Sequence, residues 1–395
     1  MFAHLLKLVW KRKTRNLMLT LEILLAFLMV FAIAAAAVRF TQLYRMPLGM
    51  EYENVWAVNV QGSGGEQKIA GALGIDELER AVRGMPQVQA VGFMSFSPFT
   101  FSSMTDDIGH ADGSGLVGTE SIYVTDETPK VLGLRVTEGR WFSRADEGLA
   151  TPAVINRRLA DALFPGRSAL GQRLSSGGKK PVYYTVTGVM EDMRTRGNFM
   201  APSNYMVTRF APGGPDDLRT LVVRLAPGTP RAFEQQLVAR LRQMRPNYGF
   251  TVTPLTEERD SMLRSVTIPL TVASVIAAFL LVMVGVGLFG VLWQNTTLRI
   301  PEIGLRRAVG ASPGAVYSQI VWEQLLLSSL ALVTGLVLLA QLPLTGALGD
   351  SLNWSVFAAA GVLSAGVIYL ISLLCALYPG WRASRLSPTE ALHYE

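Results

Sequence analysis

The chain has 395 residues, 50% of them apolar, with 36 Lys and Arg against 30 Asp and Glu. So apolar a composition excludes an ordinary soluble globule, and a single cysteine, Cys375 inside an apolar run, excludes an internal disulfide framework. The net charge of +6 does not point to nucleic acid, because the basic excess clusters beside apolar runs and the remainder of the chain is close to neutral.

In chain order, residues 1–15 open with Phe2, Leu5, Leu6, Val9 and Trp10 set against His4 and Lys7. This reads as an amphipathic cytoplasmic helix, or as the start of a long first helix. Residues 16–39 form the first span, apolar from Leu17 to Val38 except for Glu22. Ala34–Ala37 offers small residues for signal cleavage, but the apolar run is too long for a signal core and three more spans follow. Residues 40–264 make an outer domain. Alternation and helical period give strand, helix, strand over Asn54–Val60, Ile75–Met85 and Val88–Ser95, and again over Thr220–Leu225, Arg231–Met244 and Phe250–Pro254. These predict one split α+β lobe from residues 54–115 and 216–255. An inserted second lobe, residues 116–212, contains strands at Ala153–Ile155 and Val182–Met190 around a helix at Arg157–Leu163. Gln61–Gly74 and Ser102–Gly118 read as flexible loops.

The second span, 265–299, holds the uncharged stretch Ser265–Leu298. As a helix that stretch measures about 50 Å, more than a bilayer core of about 30 Å, so it is expected to continue outward as a stalk, with Pro269 able to bend it. A coupling segment (300–311), a third span (312–344, carrying Glu323), a fourth span (354–381) and a tail (382–395) complete the chain. The expected fold class is therefore an integral membrane α-helical protein, with four transmembrane helices and a large two-lobed α+β periplasmic domain between helices 1 and 2. Lys7, Lys11, Arg12, Lys13 and Arg15 precede span 1, Arg299, Arg306 and Arg307 follow span 2, and Arg382 and Arg385 follow span 4. The positive-inside rule then puts both termini in the cytoplasm and residues 40–264 outside.

The coupling segment reads Pro301-Glu302-Ile303-Gly304-Leu305-Arg306-Arg307-Ala308-Val309-Gly310-Ala311-Ser312-Pro313. Pro301 suits a first helical turn, Glu302 favours its positive end, and Arg306 and Arg307 favour its negative end. Gly310 is placed to stop the helix and Ser312 to cap the next. Ile303, Leu305 and Val309 supply apolar contacts.

This segment, the glycine-rich span before it and Glu323 after it resemble the FtsX-like permeases, specifically the MacB-type ABC transporter family. Three stretches of the outer domain are similar to the family's periplasmic core: Pro152–Asn156, Leu170-Gly171-Gln172-Arg173-Leu174 and Tyr184–Val189. The tail, Tyr378-Pro379-Gly380-Trp381-Arg382-Ala383-Ser384-Arg385-Leu386, is also similar. The resemblance covers essentially the whole chain. It implies a non-catalytic permease whose outer domain and stalk transmit ATP-driven motion. It also implies ATPase docking through Glu302, Ile303, Leu305, Arg306, Arg307 and Val309. ATP and Mg would be bound by a partner ABC ATPase dimer, since no Gly-x-x-x-x-Gly-Lys-Ser/Thr run occurs in these residues. Further partners implied are a second permease chain, identical or sister, a periplasmic adaptor and a TolC-like outer-membrane channel. Efflux is the leading reading. Lipoprotein release, a cell-division regulator and a membrane-anchored sensor or binding protein are the alternatives.

Other signals are weaker. Asp106-Asp107-Ile108-Gly109-His110-Ala111-Asp112-Gly113 fits no calcium loop and reads as solvated. The glycines around Ser63 and Ser114 form no Gly-x-Ser-x-Gly elbow, and the three histidines, His4, His110 and His393, are too dispersed for a triad. Glu22 and Glu323 read as interfacial carboxylates or as polar contacts within a helix bundle or dimer. Gly285, Gly287 and Gly290 permit close helix approach, within the chain or between permeases. Topology is directly testable. In a Cys375→Ala background, cysteines at Ser114 and Gly346 should react with an impermeant thiol reagent in spheroplasts, and one at Ser312 should not. Labelling at Ser312 would overturn the four-span orientation.

Overall fold

A computed structural model describes residues 13–62, 74–146, 148, 150–178, 180–210, 218–347 and 352–385. The expected amphipathic helix over 2–10 and most of the Gln61–Gly74 loop lie outside these residues. The chain divides into two compact units, Leu43–Val266, and Met1–Gln42 together with Thr267–Glu395.

In the second of these units, four helices are long and apolar enough to cross a membrane. They are α1 (Lys13–Arg45), α6 (Leu255–Thr297), α8 (Pro313–Thr345) and α9 (Trp354–Arg385). Helices α1, α6 and α9 overrun their expected spans, and α8 agrees with its own to within one residue at each end. Helix α1 runs on past residue 39 to Arg45, and α6 begins ten residues before Ser265, directly after a strand. Phe27 and Phe31 of α1, Leu288 of α6, Leu327 and Leu332 of α8, and Val356 and Ile368 of α9 share one core. Apolar packing alone drives little association in lipid. The bundle adds a buried hydroxyl pair, Ser328 to Ser372 at 2.7 Å, between α8 and α9. It also adds backbone-close contact at Gly335, where a Cβ would lie 2.5 Å from Phe27.

The outer domain begins with a split βαβ lobe. Strands β1 (Val55–Gly62) and β2 (Val88–Met94) flank helix α2 (Ile75–Arg83). Near the domain's far end, β10 (Thr220–Leu225), α5 (Phe233–Met244) and β11 (Tyr248–Pro254) repeat the pattern. The sheet order β11-β1-β10-β2 places the late strand β10 between the two early ones, all pairs antiparallel. Ile75, Leu78 and Val82 lie on one face of α2 and pack with Phe233, Leu237 and Leu241 of α5 on Trp56, Val58 and Val60. The alternate residues Val55 and Ala57 face a second core that includes Met50, Val131, Leu255 and Met262. Both faces of β1 are thus covered, and its run of apolar residues follows from that.

Between β2 and β10 lie β3 (Met104–His110), β4 (Val117–Val124), α3 (Thr128–Leu132), β5 (Val136–Gly139), β6 (Thr151–Asn156), α4 (Arg157–Leu163), β7 (Arg173–Ser176), β8 (Tyr183–Met190) and β9 (Tyr205–Arg209). Pairings β4-β3-β7-β8-β6-β9 return to β4, closing a six-stranded ring. This corrects two expectations. Ser102–Gly118 is no flexible loop, because its first half is strand β3, hydrogen-bonded to β4 and β7. The second lobe therefore starts near residue 104, not at 116. The cause of the error is local: polar residues alternate with Ile108, which is fully buried under the ring while Asp106 and Asp107 stay at its surface.

Asn156 anchors the ring. Its Oδ1 caps α4 through the Leu159 amide and accepts from the Tyr205 amide, while its Nδ2 donates to Asp192 and to the Ser203 carbonyl.

Candidate coupling surface and outer-domain clasp

Helix α7 (Ile300–Ala308) forms as the segment's residues dictate. Pro301 falls in its first turn, and Gly310 adopts φ +103°. The Ala311 amide donates back to the Arg306 carbonyl at 3.0 Å and the Gly310 amide to the Arg307 carbonyl at 3.1 Å, a Schellman termination. Ser312 then caps α8, accepting from the Ala315 amide at 3.2 Å.

The two faces of α7 differ. Inward, Ile303 is buried with Val316 and Ile320 of α8 and Ala383 of α9. This revises the expectation for Ile303, because a nine-residue helix lying against two longer ones must bury one side. Ile303 is therefore not available to a partner. Outward, Leu305 is 59% exposed and Val309, just past the helix, 82% exposed. The charged residues brace the helix. Arg299 pairs with Glu323 at 2.7 Å, and Gln319 also donates to Glu323 at 2.9 Å. Arg306 bridges Glu302 at 2.6 Å and Gln319 at 2.8 Å, and Arg307 donates to the Ser384 carbonyl at 2.7 Å. Sequence reading named Glu323 but not Arg299 as its partner, since they stand 24 residues apart.

The glycines of α6 do different things. Gly287 lies against Glu22 of α1, where an added Cβ would stand 2.6 Å from a carboxylate oxygen. Gly285 faces Ile371 and Cys375 of α9, whose thiol donates to the Gly285 carbonyl at 3.2 Å. Gly290 has nothing within 4 Å, so it makes no close approach among the described residues.

In the outer domain, sequence reasoning missed a clasp centred on Arg194, which is 1% exposed. Its guanidinium donates to backbone carbonyls only. Nε bonds Pro47 at 3.0 Å, Nη1 bonds Leu43 at 2.9 Å, Asn198 at 3.0 Å and Met200 at 3.3 Å, and Nη2 bonds Met46. Leu43 and Met46 end α1, where carbonyls lack helical partners and carry the negative end of the dipole. Asn198 Oδ1 in turn accepts from Arg259 in the first turns of α6 at 2.9 Å. Gly49 permits the crossing beside it, since a Cβ there would lie 1.9 Å from the Asp192 carbonyl oxygen.

A cleft of about 580 Å³ opens beside α2, lined by Arg80, Arg83, Arg144 and Arg209 and by Asp76, Glu79, Asp126 and Glu127. Burial raises the Glu79 carboxyl to about 7, against the bond it accepts from Thr125 and the nearby Arg83. Among the described residues no three His, Cys, Asp or Glu converge to hold a metal.

The comparisons with known proteins fit this architecture. Residues 17–240 match the model of the MacB-like periplasmic core domain, and residues 274–388 match that of the FtsX-like permease C-terminal domain. The chain belongs to the MacB-like, FtsX-like permease family. It is thus a permease component of the ABC transporter class and a bacterial inner-membrane protein, with the β-rich domain periplasmic. A relative from Nitrobacter winogradskyi, a macrolide export ATP-binding/permease protein MacB, is 28% identical over 318 residues, covering 77% of this chain and 48% of its own. Its counterpart in Bdellovibrio bacteriovorus is 29% identical, over 65% of this chain and 41% of its own. The chain spans about half or less of the length of these relatives. Among solved structures it is similar to the periplasmic region of MacB from Actinobacillus actinomycetemcomitans, with 13% identity and a TM-score of 0.39 over 56% of this chain and 97% of that one. It is also similar to the extracellular domain of the ABC-type transporter YknZ, with 17% identity and a TM-score of 0.35 over 50% and 100%.

Two outcomes follow. Arg194→Met leaves five buried carbonyls without their donor and should cost about 3–5 kcal/mol. Arg194→Lys should fail to rescue, because an ammonium cannot span the same acceptors. Hydrogen exchange in the full chain should rise at residues 43–50 and 194–200, and unchanged exchange would refute the clasp. Glu79, its pKa raised from 4.5 to about 7 on folding, holds a proton that the unfolded chain releases across that window. Its contribution is therefore present at low pH and lost as pH rises through about 7. Glu79→Gln should flatten this pH dependence of thermal unfolding and stabilise the chain at pH 8 by roughly 2–3 kcal/mol.

Proposed function

We propose that this chain is a mechanotransmitting permease subunit that couples ATP hydrolysis on a separate ATPase dimer to motion of its periplasmic domain. The work done is efflux of a drug, peptide or other small substrate through a tripartite assembly. A second permease chain, a periplasmic adaptor and a TolC-like channel complete that assembly, and both termini face the cytoplasm.

The observation that carries this reading is the division of α7 into two faces. A helix pinned by Ile303, Arg299–Glu323 and Arg307 moves as one with α8 and α9. Its exposed Leu305 and Val309 are then free to seat in an apolar groove of a soluble partner. Helix α6 supports the transmission half of the proposal. It is one uninterrupted helix of 43 residues, from Leu255 in the outer-domain core to Thr297, three residues before α7. Only Leu298 and Arg299 separate it from α7. No phosphate loop occurs in residues 1–395, so ATP and Mg are placed outside these residues.

Leu305→Asp and Val309→Asp each put a charge into the partner contact without touching the buried face of α7. Each should weaken ATPase binding by about a hundredfold, measured by copurification from detergent-solubilised membranes. Ile303→Asp should instead destabilise the permease, because it buries an unpaired carboxylate among Val316, Ile320 and Ala383. Full ATPase retention by well-folded Leu305→Asp and Val309→Asp chains would overturn the docking role.

A further inference from the structure

At the α7 end of helices α6 and α9, four aromatic rings form one continuous pile. Phe289 stacks on Trp293 at 6.2 Å, Trp293 lies on Tyr378 at 5.7 Å with only 7° between the planes, and Tyr378 continues to Trp381 at 6.2 Å. Two guanidiniums cover the pile. Arg382 stands 4.4 Å from the Trp293 ring centre and Arg385 4.6 Å from that of Trp381. Both arginines are exposed, and among the described residues neither has a carboxylate partner. The other cations nearby are already engaged, Arg299 by Glu323 and Arg307 by the Ser384 carbonyl. A small pocket of about 100 Å³ sits beside Arg382, lined by Trp293, Thr296, Thr297, Ile300 and Pro379.

The depth of this array follows from the chain. The uncharged run of α6 ends at Leu298 and that of α9 at Trp381, so the rings occupy the last turns before the first charges. That is the headgroup level, where amphipathic rings and snorkelling arginines settle. The protein leaves Tyr378 51% and Trp381 47% exposed. A cation held over a ring face keeps its N–H donors available at the ring's rim. Arg382 lines the pocket, and Arg385 lies over the Trp381 ring, on the other side of Tyr378 from Trp293.

The geometry points to a binding site for an anionic phospholipid, its phosphate held at the pocket by Arg382, its charge met further along the pile by Arg385, and its glycerol and chains laid along the Trp293–Tyr378–Trp381 pile. Charge complementarity selects an anionic lipid over a zwitterionic one, and the aromatic platform selects a lipid over a free phosphate. The site lies on the same end of the helices as α7 but uses none of its exposed residues, so it stands independently of ATPase docking.

Native mass spectrometry of the full chain, released from detergent after equilibration with phosphatidylglycerol or phosphatidylcholine, tests it. The expected result is preferential retention of phosphatidylglycerol. Retention should fall about fivefold in Arg382→Gln and about twentyfold in Arg382→Gln/Arg385→Gln, be largely restored in the corresponding lysine variants, and resist millimolar inorganic phosphate. Trp293→Ala should lower retention while leaving both charges in place. Circular dichroism and gel filtration establish that each variant is folded. Equal retention of the two lipids, unchanged retention in the double variant, or displacement by inorganic phosphate at millimolar concentration would overturn the site. So would a double variant that loses a partner ATPase on copurification yet keeps phosphatidylglycerol, since these arginines would then serve a protein surface.

Discussion

A guanidinium buried without a carboxylate is tolerable only if its surroundings supply negative potential and enough acceptors. Arg194 meets both conditions with backbone alone, through the last carbonyls of α1, the Pro47 carbonyl after it, and those of Asn198 and Met200. Because every acceptor is main chain, the bond set fixes the path of the polypeptide and not merely a side-chain contact. The way α1 gives way to the outer domain depends on it. The loop that carries Arg194 also receives Arg259 through Asn198, so one short segment ties the end of α1 to the beginning of α6.

The elements around α7 follow a different logic. There, opposite charges are abundant, and Arg299, Glu302, Arg306, Gln319 and Glu323 form a chain of partners. Such part-buried pairs lock orientation more than they add stability, because desolvation offsets most of the Coulomb gain. For a short helix that orientation is what matters. It turns Ile303 in and Leu305 out, and so determines which apolar residues a partner can reach.

Much of this was readable from residue order. The four spans, the split lobe with its two helices, and the start and stop of α7 all rest on local signals, namely apolar run length, period, Pro301, Gly310 and Ser312. What could not be read depends on distant pairing. Arg194 looks like an unremarked loop arginine until Leu43, about 150 residues earlier, is brought beside it. Strand β3 carries Asp106, Asp107 and His110, a composition that suggests solvent, and only its place between β4 and β7 makes it a strand. Ile303 and Leu305 are equally apolar, and a nine-residue helix is too short for periodicity to say which of them is covered. Rings from α6 and α9 meet in one pile although Trp293 and Tyr378 belong to different spans.

The closed ring and the interleaved sheet also set the order in which the outer domain can form. Strand β1 is flanked by β10 and β11, its partners from the opposite end of the domain, and β4 closes the ring only against β9. The pairs β1–β10, β1–β11 and β2–β10 can therefore mature only after the chain beyond Thr220 has emerged on the far side of the membrane. Contacts so remote in sequence carry a loop-closure cost before any of them is rewarded, and domains built from them fold slowly. With its one cysteine in a transmembrane helix, the domain has no covalent cross-link to shorten that search. Strand β1 must wait, without its partners β10 and β11, until residues beyond Thr220 arrive, and in that interval the nascent domain is most open to proteases and to holding chaperones.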